Sequence, residues 1–86
     1  MTNDELTAEL KIPFASANYA QIAFNTLSVD SEPRKELIRK KIELNQEVLT
    51  VSWSAKESRI LRVSINSFLD HLNSVLETIQ LFDNND

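Results

Sequence analysis

A chain of 86 residues fits one small domain with a thin core. Apolar residues make up 42% of the chain, which is enough to fold such a domain. The chain contains no Cys and no Gly, which excludes a disulfide framework, a thiolate metal site and every phosphate-binding loop built on glycine. The formal net charge of -4 argues against a free-standing nucleic-acid binder. The acidic start from Met1 to Leu10 is unlike a signal peptide. No run approaches the roughly 18 apolar residues of a membrane span.

The first predicted element is a half-buried strand. Apolar side chains recur at every second position, which is the period of a strand with one face on a core. These residues are Leu6, Ala8, Leu10, Ile12 and Phe14. Pro13 has no N–H to donate and therefore marks either a sheet edge or the end of the strand.

A helix is predicted next, from Ser16 to Leu27. Ser16 is a suitable N-cap, and apolar residues follow it at spacings of three and four to form one face. That face consists of Ala17, Ala20, Phe24 and Leu27. Tyr19 and Ile22 fall on a different face of the helix. Asp30–Pro33 ends this element, because a proline disfavours helix in the residue before it.

Two further strands are predicted at Leu37–Leu44 and Val48–Ser54, joined by a turn at Asn45–Gln46. Apolar residues share one side of each strand, and Lys40 interrupts them in the earlier one. The apolar residues are Ile38, Ile42, Leu44, Leu49, Val51 and Trp53. The opposite side carries charged and hydroxyl residues and lacks the stacking aromatics of an RNA recognition motif.

A long amphipathic helix closes the chain. Ser54 and Glu57 fit a capping box, which predicts a helix of roughly 26 residues and near 40 Å in length. Its apolar stripe is Leu61, Ile65, Phe68, Leu72, Val75, Ile79 and Phe82, widened by Leu69 and Leu76. Strands of about 20 Å cannot cover a helix of that length, so we expect part of it to pack on something outside the domain.

The element order predicts an α+β fold of the form β-α-β-β-α, as a single domain over residues 1–86 with its ordered core at about 6–82. The sheet would be three-stranded and antiparallel, with both helices packed on one face. A right-handed crossover would place the first strand beside the third. The sheet would then have two open edges, and open edges predict oligomerisation.

No catalytic or metal-binding set can be named. His71 is the only His and lies beside Asp70 at the margin of the apolar stripe, where a half-buried packing role is expected. No Cys and no second His could complete a metal site. We therefore predict a protein that is not an enzyme and has no cofactor.

Basic residues form two groups with two interpretations each. Five of the nine lie close together, and these are Arg34, Lys35, Arg39, Lys40 and Lys41. They would either solvate a strand edge and discourage aggregation or contact nucleic acid. Arg59 and Arg62 would either pair with Glu57 and acids of the sheet or bind a partner subunit or RNA phosphate.

Four apolar residues fall outside the predicted core faces of the two helices. They are Tyr19, Ile22, Val63 and Leu81. Single exposed apolar residues are common, but two pairs on helices that share one side of a sheet favour a partner laid against both. We predict that these four residues bind a partner protein.

The start of the long helix resembles the Pcc-type (CTAG/Pcc) family, the small subunit of the KEOPS or EKC complex. The family pattern has an acidic residue before Arg, then Leu-Arg, then an apolar helix with Asp about eight residues on. Here those residues are Glu57, Arg59, Leu61, Arg62 and Asp70.

The resemblance extends over nearly the whole chain, from about Leu6 to Phe82. Leu10–Phe14 is similar to the first strand of the family. Ala20 and Leu27 fit its first helix, and Asp30–Pro33 resembles its acidic loop.

The resemblance implies a dimerisation and scaffold subunit whose helices dock on the ATPase-like catalytic subunit of the complex. Its sheet would pair with a second copy or with a small capping subunit. The complex transfers a threonylcarbamoyl group to the adenosine next to the anticodon in tRNA, and the small subunit would help to hold that tRNA. The resemblance also implies location in the nucleus and cytoplasm and links to telomeres and transcription. The alternative is a free-standing small RNA-binding module that uses the basic strand cluster.

Overall fold

The computed structural model describes residues 5–29 and 36–83, and their side chains through residue 81. Its elements are β1 Leu6–Pro13, α1 Ala17–Ser28, β2 Ile38–Asn45, β3 Val48–Ala55 and α2 Ser58–Asp83. The predicted α+β order is thereby confirmed. Two predicted nucleic-acid contacts, Arg34 and Lys35, lie outside the described residues, and so does the side chain of Phe82 from the predicted apolar stripe.

The three strands form one sheet in the order β1-β3-β2, with both pairs antiparallel. Strands β1 and β2 therefore form the two edges, and α1 connects them across β3, as expected. Each row of the sheet runs across all three strands, and its side chains point to one face. Rows on the helix side include Ala8–Trp53–Lys40, Leu10–Val51–Ile42 and Ile12–Leu49–Leu44. Rows on the outer side include Thr7–Ser54–Arg39, Glu9–Ser52–Lys41 and Lys11–Thr50–Glu43.

The core lies between the sheet and the two helices. Its buried members come from the helix side of the strands and from both helices, so the helices share one face of the sheet. They are Ala23, Leu27, Ile38, Leu49, Val51, Trp53, Ala55, Phe68, Leu72, Val75 and Ile79. The Trp53 and Phe68 rings meet edge to face at 5.4 Å, a contact that joins β3 to α2. The Trp53 Nε1–H is buried without an acceptor among the described residues, which costs about 1–3 kcal/mol.

The start of α1 agrees with the sequence, whereas the start of α2 does not. The Ser16 side chain accepts a hydrogen bond from the Tyr19 N–H at 3.2 Å, which makes it the predicted N-cap. The capping box at Ser54 is wrong, because Ser54 is paired within the sheet and α2 begins only at Ser58. The first helical hydrogen bond runs from the Leu61 N–H to the Glu57 carbonyl, so Glu57 occupies the cap position.

The buried faces of the helices also differ in part from the predicted ones. On α1, Ala17 is exposed and Ala23 is buried in its place. On α2, Leu69 and Leu76 do not widen the core, because both remain more than a third exposed. The core stripe of α2 is half-buried at Leu61 and Ile65 and buried from Phe68 to Ile79, so an outside partner would meet mainly the flanks of the helix.

Candidate interaction surfaces

Most of the large exposed apolar residues in the described part of the chain lie in the two helices. In this helix layer they are Ile22, Val63, Leu69, Leu76 and Leu81, of which Leu81 is 72% and Val63 59% exposed. Three of the four rows on the outer sheet face carry only polar and charged side chains. A protein partner that buries apolar surface would therefore meet this chain on its helix layer.

The exposed apolar residues of α2 form two lines. Val63 and Leu81 are 18 residues apart, which is five turns of about 3.6 residues. They therefore lie on the same side of α2, about 27 Å apart along its axis. Leu69 and Leu76 are seven residues apart on another flank, and each is three or four residues from core residue Leu72. The Leu69–Leu76 line is therefore continuous with the core stripe, while Val63 and Leu81 stand apart from it.

Tyr19 does not share the environment of Ile22. Its side chain is half-buried and packs against the core cluster, whereas Ile22 is 39% exposed. Tyr19 therefore offers a partner only part of its ring. A partner-binding role for both residues stays a prediction.

Leu69 and Leu76 are surface residues that the sequence pattern assigns to the core. Their spacing of seven fits the core stripe as well as it fits a neighbouring line, and only the packing of α2 on the sheet decides between the two. The signal that could have assigned Leu69 and Leu76 to the surface is the polar character of their neighbours on the helix. The residues three before and four after Leu69 are Asn66 and Asn73, and both are exposed.

The basic strand cluster is divided between the two faces of the sheet. Arg39 and Lys41 lie on the outer face, where Lys41 pairs with Glu43 at 3.2 Å. Lys40 lies on the helix side, and its Nζ is 5.7 Å from the centroid of the Phe68 ring. The three cations therefore form no single patch.

Arg59 and Arg62 are both exposed on the first turns of α2. Within residues 5–29 and 36–83, no ion pair joins either guanidinium to Glu57. Both guanidinium groups are thus accessible, as a contact to a partner subunit or to RNA phosphate requires. Which of these they contact stays a prediction.

The two open edges expose different backbone groups. The Phe14 N–H bonds the Glu47 carbonyl at 2.8 Å, on the β3 side of β1. Because backbone groups alternate in direction along a strand, those of Thr7, Glu9 and Lys11 face the free edge. The same alternation across β3 leaves the groups of the even-numbered residues of β2, from Ile38 to Leu44, at the other edge.

Two surface concavities bounded by described residues are large enough to consider, and their lining residues form no catalytic arrangement. One of about 470 Å³ lies where β2 begins and α2 starts, and its walls include Glu5, Glu36, Lys56 and Glu57. The other, of about 620 Å³, is lined mostly by polar residues of two outer rows of the sheet.

Across the described ranges, no three His, Asp or Glu residues are grouped to hold a metal ion. No helix in this part of the chain is both long and apolar enough to cross a membrane. His71 is half-buried, as its position at the margin of the stripe predicts.

Comparison with known families gives one match over most of the chain. The family described as "Transcription factor Pcc1" matches residues 7–80. The mouse EKC/KEOPS complex subunit Lage3 is 44% identical over 73 residues, which are 85% of this chain and 49% of that protein. The Eremothecium gossypii EKC/KEOPS complex subunit PCC1 is 34% identical over 77 residues, or 90% of this chain and 95% of that protein.

The human EKC/KEOPS complex subunit LAGE3 is 37% identical over 73 residues and is likewise covered only to 51% of its length. The chain thus spans about half the length of the mammalian relatives. Among solved structures, the crystal structure of the binary complex Gon7-Pcc1 contains a chain with a TM-score of 0.83 and 28% sequence identity. The alignment covers 90% of this chain and 95% of that one.

Proposed function

Because this chain belongs to the Pcc1 family, we propose that it is a non-catalytic dimerisation and scaffold subunit of the KEOPS complex. In this role it binds the ATPase-like catalytic subunit, which transfers a threonylcarbamoyl group to the adenosine next to the anticodon in tRNA. The names of its relatives, all of which are EKC/KEOPS subunits, support the assignment to this complex.

One observation carries the scaffold role, and it is the apolar surface of the helix layer. Leu69 and Leu76 continue the core stripe onto an exposed flank, and Val63 and Leu81 add a second line. Burial of a large apolar side chain is worth about 1.5–3 kcal/mol, so these residues favour a protein partner on this layer. That partner is the ATPase-like subunit, which packs its own helices against α1 and α2.

The sheet serves the second part of the role. Its open edges leave backbone groups of β1 and β2 available for pairing with a second copy or with a small capping subunit. The similar solved structure is a binary complex of Gon7 with Pcc1, which supports pairing of this chain with another protein. The divided basic cluster counts against a free-standing RNA-binding module.

Transfer RNA is held by the assembled complex, with Arg39, Lys41, Arg59 and Arg62 as the contacts on the described part of this chain. Each phosphate that these residues neutralise steepens the salt dependence of binding, by about 0.7–0.9 in the slope of log K against log salt. Location in the nucleus and cytoplasm, and roles at telomeres and in transcription, are further proposals that follow from the family.

The test is a reconstitution of tRNA modification. The other subunits of the complex from the same organism are combined with this chain, and threonylcarbamoyladenosine in tRNA is measured. We expect modification with the wild-type chain, a loss of at least about tenfold with Leu69→Asp or Val63→Asp, and none with the chain alone. A charged group in the apolar contact costs at least the 1.4 kcal/mol that corresponds to tenfold.

The control is Asn45→Asp, which adds the same charge at the end of β2, away from the helix layer. It should leave modification unchanged. Circular dichroism establishes that each variant is folded. Full modification in the absence of this chain, or with Leu69→Asp and Val63→Asp together, would overturn the proposal.

A further inference from the structure

The middle of α2 repeats a pattern of seven residues. Residues 66–72 read Asn-Ser-Phe-Leu-Asp-His-Leu, and residues 73–79 read Asn-Ser-Val-Leu-Glu-Thr-Ile. Core packing explains the third and seventh positions, because their side chains are buried in both copies of the pattern. The first, fourth and fifth positions, which hold Asn, Leu and an acid, are exposed in both. The repeat therefore marks a second surface of α2 besides its core stripe.

The exposed asparagines and leucines of this repeat form one line along α2. Asn66, Leu69, Asn73 and Leu76 are spaced by three, four and three residues, and Gln80 follows after four more. All five side chains are exposed. Alternating spacings of three and four are those of the a and d positions of a coiled coil, which face a partner helix. We call these five residues the amide–leucine seam.

The asparagine amides of the seam are not used within the described part of the chain. On α1, the exposed Gln21 and Asn25 amides bond each other at 3.0 Å. No such bond within residues 5–29 and 36–83 involves the side chain of Asn66 or Asn73. These two lie about 10.5 Å apart along the helix, too far to pair with each other. Asn is also a poorer helix former than Glu, Lys or Ala, which would serve better on a face that meets only water.

An asparagine between two leucines of a helix contact selects one arrangement of that contact. The leucines bury apolar area against the partner, and the amide between them is left unsatisfied unless the partner places a hydrogen-bonding group opposite. A slide of the partner by one helical turn would set its amide-bonding groups against Leu69 or Leu76. A polar residue at such a position is known to fix the register of coiled coils.

Charged residues border the seam and add to the choice of partner. Arg62 precedes Asn66 by four residues and continues the seam at its start. Asp70 and Glu77 each follow a seam leucine by one position, and both are exposed. Charges that flank a coiled-coil seam set partner choice and orientation. A matching helix would place an acid near Arg62 and basic residues opposite Asp70 and Glu77.

We propose that the amide–leucine seam is bound by one α-helix of the partner protein, whose own amide side chains pair with Asn66 and Asn73. This helix spans about three turns, alternates apolar and amide residues at the same spacing, and carries basic residues opposite Asp70 and Glu77. The inference states what the partner on the helix layer must carry, and it rests on the proposed function. The leucines supply buried area, and the asparagines determine which helix binds and in which register.

The role of the asparagines is tested by calorimetric titration of the full chain with the ATPase-like catalytic subunit from the same organism. We expect Asn66→Leu and Asn73→Leu each to raise the dissociation constant about tenfold, because leucine leaves the facing amide unpaired. The double variant should raise it about a hundredfold, since sites this far apart act independently. Ser74→Leu is the matched control: it is exposed, lies one position outside the seam, and should leave the dissociation constant unchanged.

The melting temperature of the free chain separates a binding role from a structural one. Leucine is a better helix former than asparagine, so both leucine variants should melt at or above the wild-type temperature while binding more weakly. A purely structural role of the asparagines would instead lower the melting temperature together with the affinity.

The flanking charges are tested in the same titration at low salt. Glu77→Lys should raise the dissociation constant about tenfold, because it turns an attractive pair with the partner into a repulsive one. Lys11→Glu, an opposite change of the same size on the outer face of the sheet, is the control and should have no effect.

Asparagine variants that bind as tightly as the wild-type chain, or more tightly, would overturn the inference, because the amides would then face water or an apolar surface. Wild-type affinity of Glu77→Lys would overturn the stated charge of the partner helix. If the asparagine variants instead lose self-association, the occupant is a second copy of this chain and the partner helix is wrong. Weak binding by Leu69→Asp with unaffected asparagine variants contradicts only this inference. A wild-type chain that does not bind the catalytic subunit contradicts the proposed function itself.

Discussion

The position of Lys40 in the structure argues against a role as a nucleic-acid contact. Its place in a run of cations suggests a solvated strand edge or a nucleic-acid contact, whereas the alternation of β2 places it among apolar residues. The structure sets it on the helix side, with its ammonium over the Phe68 ring. Such a contact is worth about 0.5–1 kcal/mol at a partly exposed site, and it leaves a charge at the edge of the apolar row.

We expect Lys40→Leu to open the β2 edge to association. The change gives β2 an unbroken apolar row between Ile38 and Leu44, while the outer alternation of Lys41 and Glu43 already permits pairing. Light scattering should then show a mass that rises above that of the wild-type chain as concentration increases. Lys41→Leu, on the outer face of the same strand, is the matched control and should show no such rise. A Lys40→Leu chain with the wild-type mass would mean that Lys40 does not guard this edge.

In the hairpin between β2 and β3, a residue with a side chain occupies a backbone conformation that glycine usually adopts. Its two loop residues are Gln46 and Glu47, one position later than the predicted turn at Asn45–Gln46. Gln46 has a φ of 58°, in the left-handed region where a side chain with a Cβ is disfavoured. A positive φ at the first loop residue of a two-residue hairpin is usually supplied by glycine.

We therefore expect Gln46→Gly to raise the free energy of unfolding by about 1 kcal/mol, since glycine adopts this φ without a steric penalty. For a domain of this size the melting temperature should rise by about 4–8 °C. Thermal unfolding followed by circular dichroism provides the measurement. The control is Glu47→Gly, whose φ is not positive and which should give no gain. Equal or opposite effects of the two changes would show that the left-handed residue is not strained.

The elements themselves were largely predictable from the sequence, because each has a clear period. The alternation from Leu6 to Phe14 and from Val48 to Trp53 predicted β1 and β3, and the spacing from Leu61 to Ile79 predicted α2. The start of α2 was not predictable in the same way. A Ser-x-x-Glu pattern at Ser54 is equally compatible with a paired strand residue, and hydrogen bonding across the sheet decided the matter.

At the scale of the whole molecule, what the sequence could not give is which side of each helix remains uncovered. The length of α2 suggested that its core stripe would extend beyond the sheet, yet its members Phe68, Leu72, Val75 and Ile79 are buried. The exposed flank at Leu69 and Leu76 arises from how α2 lies on the sheet and on α1, and no local pattern records that arrangement. The edges of the sheet were predicted, since a β-α-β-β-α order leaves two strands with one neighbour each.

The proposed function gives this subunit two separate interfaces, one on the helix layer and one at the sheet. The polar outer face of the sheet remains open to solvent or to tRNA in that arrangement. A mutation in one interface should therefore leave the other intact, because residues that share no contacts act independently.

The most direct test of this account is the mass of the purified chain in solution, alone and mixed with the ATPase-like catalytic subunit of the KEOPS complex from the same organism. We expect the chain alone to have twice its monomer mass of 9.8 kDa and the mixture to form a larger species with equal numbers of both chains. Size-exclusion chromatography with light scattering gives both values. A chain whose mass is unchanged by that subunit at micromolar concentrations would contradict the account.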